Sequence, residues 1–113
     1  MNLSRLVACL LVCTCALFPP LPAASASIAY PAAPNGPGAG RHLVFLTGDE
    51  EYRSEEGLPM LAKILSQRHG FRCTVLFALN PDGTINPDNN RSVPNSEALD
   101  SADGIGLGLR FRP

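Results

Sequence analysis

Between His42 and Leu79 the apolar residues change period twice, and that change limits the folds open to the chain. "HLVFLT" (His42–Thr47) is a continuous run of strand length, the pattern of a strand covered on both faces. "LPMLAKILSQRHG" then places Leu58, Leu61, Ala62 and Leu65, with Ile64 one position aside, at helical spacing opposite Lys63, Gln67 and Arg68. "FRCTVLFAL" (Phe71–Leu79) returns to residues that favour strands. Pro59 fits only the first turn of a helix, which predicts regular helix from Gly57 or Leu58. Gly70 is placed to stop that helix, with Arg68 and His69 beside its negative end. Strand, helix and strand in this order predict parallel pairing through a crossover, an α/β layer fold.

Beyond Leu79 the chain is less regular. "NPDGTINPDNNRSVPN" is a run of turn formers and predicts a long exposed connection. "SEALDSAD" opens a short helical turn that Ser96 can cap, and "GIGLGLRF" (Gly104–Phe111) has strand spacing. Gly104, Gly106 and Gly108 weaken that third strand, because glycine removes packed side chains and adds entropy to the unfolded chain. An open α/β sheet needs helices on both faces, and this sequence supplies one good helix and part of another. It reads as the first third of a larger domain, cut short after about three strands, and a truncated or frameshifted reading frame is the expectation.

The amino-terminal residues are not domain material. Arg5 in "MNLSR", the apolar "LVACLLVCTCALF" and the Pro-broken, small-residue "PPLPAASASIA" form a signal peptide over residues 1–26. Ala24 and Ala26 fit the small-residue positions of a cleavage site after Ala26, and the apolar run is too short to span a bilayer, which takes about 20 residues. An exported protein, periplasmic or extracellular, is expected. Residues 27–40, "SIAYPAAPNGPGAG", read as a flexible Pro/Gly/Ala-rich linker. Cys9, Cys13 and Cys15 fall in the signal, so cleavage leaves Cys73 alone and no intramolecular disulfide.

Charge narrows the partners. The formal net charge is −1, with no basic stripe and no interleaved aromatics, so nucleic acid is not an expected partner. No spacing of Cys and His suggests zinc, and neither a cofactor nor a metal is expected. Once the signal is removed, no stable membrane insertion is expected either. Oligomeric state stays open.

The acidity is concentrated in "TGDEEYRSEEG" (Thr47–Gly57), between the first strand and the helix. Ligands of open α/β sheets bind outside the carboxyl ends of the strands, which is where this stretch belongs. Asp49 and Glu51 can accept hydrogen bonds from sugar hydroxyls, and they are also of the oxygen type that hard cations take. Arg53 can orient a carboxylate or carbonyl, and Tyr52 can stack on an apolar sugar face. Arg110, with Arg112, would fall at the carboxyl end of the third strand near the same face; a frayed terminus serves equally well. Against a site, acidic residues ahead of a helix complement its positive end at about 0.3–1 kcal/mol each, and Ser54, Glu55 and Glu56 can be capping residues only. As a phosphate cradle the loop fails, since it has no glycine-rich run and no following lysine. His42 reads as a strand-edge residue, His69 as a helix-end residue and Cys73 as a buried apolar one.

"GDEEYRSEEG" and "ALDSAD" followed by a strand ending "RFR" are the most specific pieces of a wider likeness over Arg41–Arg112. The chain resembles the N-terminal portion of the ThuA-like (trehalose-utilisation-like) domain, in the exported versions common in planctomycete-type bacteria. That resemblance implies a parallel-sheet, three-layer sandwich of the class I glutamine-amidotransferase-like type for residues 41–113. It also implies a link to carbohydrate metabolism, often of oxidised (keto) sugars, with a carbohydrate as ligand. The family's third strand carries large apolar residues where the three glycines stand here, and its domain continues well past "RFR". Catalysis, non-catalytic binding of a sugar or protein, and a truncated non-functional product all remain open from the sequence.

Overall fold

The computed structural model describes residues 27–49, 51–89 and 91–109. The expected signal peptide and its cleavage point, and the candidates Arg110 and Arg112, lie outside the described residues. Five elements carry the fold: β1 (Ser27–Tyr30), β2 (His42–Gly48), α1 (Ser54–His69), β3 (Arg72–Leu76) and β4 (Gly104–Leu109), with a short 3-10 helix at Ser96–Ser101. The strands form one mixed sheet in the order β1-β3-β2-β4. β2 pairs in parallel with both β3 and β4, while β1 runs antiparallel to β3. The protein is a small α/β domain, as the alternation of periods predicts.

The segment that reads as a linker is part of that domain. Ser27–Tyr30 add an edge strand to β3, from Ser27 opposite Leu76 to Tyr30 opposite Cys73. The chain then turns back over the end of α1, where the Ser66 hydroxyl donates to the Pro31 carbonyl at 2.8 Å. The Ala33 and Gly38 amides donate to the carbonyls of Ser66 (3.1 Å) and His69 (2.7 Å). Pro- and Gly-rich composition matches a linker because these contacts are made by backbone, which leaves no apolar period to detect.

Helix α1 starts at Ser54, about one turn earlier than predicted, so Pro59 sits in its second turn. The missing proline N–H forgoes the bond that the Glu55 carbonyl would otherwise receive. At the other end Gly70, with φ 75°, closes the helix as expected: its N–H donates to the Ser66 carbonyl (3.2 Å) and the Phe71 N–H to that of Leu65 (3.3 Å). The buried stripe is also rotated from prediction. Ser54, Ala62 and Ser66 are buried and Leu58 and Leu65 partly so, whereas Leu61 and Ile64 are 42 % and 44 % exposed. Small residues at the contact let the helix lie close to the sheet.

The core lies between α1 and the sheet: Phe45, Ala62, Cys73, Val75 and Phe77, with Tyr30, Leu43, Leu58, Leu65, Phe71 and Leu79 around them. β3 is shorter than the predicted Phe71–Leu79; Phe77 and Ala78 are buried beyond its end, and Leu79 bridges to Ile85. The glycines of β4 belong to this packing. Gly106 pairs with Phe45, and a Cβ on it would enter the Phe45 ring. A Cβ on Gly108 would lie 2.7 Å from Ser54 Cβ and 2.9 Å from Leu58 Cδ1. The third strand forms because its side-chain volume on this face is supplied by β2 and α1.

Candidate functional site

The sequence of strands reverses direction between β2 and β4. From β2 the chain crosses through α1 to β3 on one side, then returns to β4 on the other. Such a reversal opens a crevice at the carboxyl ends of the two strands, the usual ligand position in open α/β sheets. Residues 49–53 follow β2 at that point, and Gly48 is still paired with Leu109 at the end of β4.

Three residues shape this corner. Ser54 is buried, and its Oγ accepts hydrogen bonds from the amides of Gly48 (3.1 Å) and Asp49 (3.0 Å). Its own N–H donates to the Asp49 carbonyl at 3.4 Å. Asp49 is also buried, and its Oδ1 accepts from the amides of Glu51 (2.9 Å) and Tyr52 (3.3 Å). Arg53 closes the turn with φ 50° and ψ 49°, a left-handed conformation that costs a non-glycine residue about 1–3 kcal/mol. The sequence suggests Ser54 as a plain cap. It instead fastens the helix start to the end of β2, and no side chain caps α1.

The candidate residues therefore divide by position. Asp49 spends its carboxylate on its own loop, so it positions the corner. Glu51, Tyr52 and Arg53 are exposed, Tyr52 by 79 %. The Arg53 guanidinium pairs with Glu56, three residues on, with both side chains largely in solvent. Such a pair contributes little to stability, about 0–1 kcal/mol, and leaves both groups open to a ligand. Glu55 lies in the first turn with a buried Oε2 that has no hydrogen-bond partner among the described residues. The positive end of the helix favours its charge.

The opposite end of the sheet holds a polar cluster the sequence does not announce. His42 is 5 % exposed, not a free strand-edge residue. Its Nδ1 lies 3.2 Å from the Ser101 carbonyl and 3.0 Å from the Ser101 Oγ, and its Nε2 lies 2.8 Å from Thr74 Oγ1. Its backbone N–H donates to Asp103 Oδ2 at 2.7 Å, and the Asp103 N–H donates back to the His42 carbonyl at 2.8 Å. The cluster ties β3, β2 and the start of β4 together. Nothing short of knowing that residues 42, 74 and 101–103 meet would have revealed it.

Elsewhere, burial raises the Cys73 thiol above its ordinary range, as befits a core residue. Thr84 donates to the exposed Asp82 carboxylate from both its hydroxyl and its amide, and these bonds hold that carboxyl below its ordinary value. Among the described residues no group of three or more His, Cys, Asp or Glu is arranged to hold a metal ion. No helix among them is long and apolar enough to cross a membrane. Compared with known proteins, the chain gives no significant match to any family model, curated protein or solved structure.

Proposed function

We propose that this chain is the N-terminal part of an exported ThuA-like α/β domain, and that its corner at residues 49–56 binds a carbohydrate. The observation that carries this reading is the position of Tyr52, Arg53 and Glu56 at the reversal point of the sheet, on a loop fastened by buried Asp49 and Ser54. The exposed Tyr52 ring offers an apolar face for a sugar ring, and Arg53 and Glu56 offer a donor fork and an acceptor for hydroxyl and keto oxygens. The order β3-β2-β4 supports the three-layer sandwich of the amidotransferase-like type, since it reproduces the 2-1-3 order at the centre of flavodoxin-like sheets. With Asp49 committed to backbone amides, the corner favours binding over acid–base chemistry.

Calorimetric titration with keto-disaccharides and ordinary disaccharides tests this. Binding is expected, and Tyr52→Ala should weaken it by about three- to tenfold through the lost ring contact. Absence of heat with every sugar, or an affinity indifferent to both Tyr52→Ala and Arg53→Ala, would remove the corner from consideration. A second reading, a protein-binding module, is favoured by the exposure of Met60 (66 %), Leu61 and Ile64 along α1 near Tyr52. A partner protein whose binding depends on Met60 and Ile64, with no sugar bound, would select it.

A further inference from the structure

We infer that β4 is a self-pairing edge: two copies of the chain join antiparallel through Gly104–Leu109 about a two-fold axis at Gly106. Among the described residues β4 ends the sheet, paired on one side by β2. Every second residue of such a strand directs its amide and carbonyl outward, a ready template for another strand. Exposed edges are ordinarily blunted by charge, proline or a bulge. "GIGLGL" has none of these over six residues, whereas the opposite edge, β1, is four residues long and runs into Pro31.

The occupant is a second copy because the strand is complementary to itself. Antiparallel pairing centred on Gly106 sets Gly104 opposite Gly108 and Ile105 opposite Leu107. Both copies then keep their glycines on the helix side, already filled by Phe45, Leu58 and Ser54. Ile105 and Leu107, 56 % and 62 % exposed in one copy, meet their counterparts on the other face. Charge permits the approach. No ionisable residue lies within the strand, and the flanking Asp103 carboxylate is turned back onto the His42 amide of its own chain. At about 3.4 Å per residue the paired edge is about 20 Å long, so the interface is well below the area of about 1,200–2,000 Å² typical of stable complexes. The dimer is accordingly weak and dependent on concentration.

Sedimentation velocity of the full chain over a wide concentration range tests the inference, with amide exchange as a second readout. A monomer–dimer equilibrium is expected, with protection of the amides of residues 104–109 rising with concentration. Leu107→Lys should raise the dissociation constant by at least about tenfold, while Leu61→Lys on the exposed side of α1 should not change it. If Leu107→Lys loses its circular dichroism, the milder Ile105→Thr serves in its place. A monomer at every concentration overturns the proposal. So does a dimer that survives both β4 variants, one abolished by Leu61→Lys, or an assembly that disappears when Leu11→Arg interrupts the amino-terminal apolar run.

Discussion

Replacing Ser54 by alanine tests how the corner after β2 is held. The substitution removes one oxygen that accepts two amides, those of Gly48 and Asp49, in a residue that is 7 % exposed. A buried backbone donor left without a partner costs about 1–3 kcal/mol. Asp49 is buried and belongs near the middle of that range, about 2 kcal/mol, while partly exposed Gly48 belongs at its low end, about 1 kcal/mol. The better helix propensity of alanine offsets about 0.5 kcal/mol, leaving a net loss of about 2.5 kcal/mol. A domain this small has a total stability of only about 5 kcal/mol, so half of it is at stake. In urea the midpoint should fall by about 2 M for a slope near 1 kcal/mol per molar. Amide exchange locates the effect, because Gly48 and Asp49 should exchange faster even when the core strands are intact. A loss under about 0.5 kcal/mol, the scatter of ordinary surface substitutions, would refute the reasoning, as would unchanged exchange at both amides.

Packing and electrostatics elsewhere in the domain give three more expected outcomes. Gly106→Ala drives a methyl into the Phe45 ring and should cost about 1–3 kcal/mol in urea unfolding; a neutral result would mean that β4 is not seated on β2 as described. Arg53→Gly removes the strain of a left-handed non-glycine residue and a weak surface pair, so stability should rise by about 1 kcal/mol; a loss would assign the Arg53–Glu56 pair more weight than exposure permits. Burial raises the Cys73 thiol in the folded state, so above the unfolded thiol value of about 8.5 the unfolded chain loses its proton first. Stability is therefore level with respect to this group below that pH and falls as pH rises through the folded value. Between neutral and alkaline pH the urea midpoint should fall less for Cys73→Val than for the parent, and an identical alkaline decline in both would count against burial of the thiol.

What the sequence made legible was whatever repeats at short range. The runs around Val44 and Val75 and the helical spacing between them established two parallel strands and their crossover, and Gly70 marked the helix end through a local conformation. The location of the corner was legible for the same reason, since it lies between a strand and the helix that comes after it. The composition of residues 27–40 misled, because a strand of four residues and a set of backbone contacts leave no pattern of side chains. Pro59 misled by marking the first turn, when the start of α1 is set by Ser54 reaching back to β2.

Tertiary structure alone decided which side chains face one another across distance. Asp49 and Tyr52 are both plausible ligands by residue type, yet one is consumed by its own loop and the other stands in solvent. His42 became a buried tie only because Thr74 and Ser101, far along the chain, close around its ring. The glycines of β4, a weakness when counted along the strand, become a fit once Phe45 and α1 occupy the space beside them. Periodicity records what each residue does to its neighbours in sequence, and the close approach of a ring to a distant glycine leaves no such record. Volume and hydrogen bonding in the folded core settle those matters, and they exist only after the strands have met.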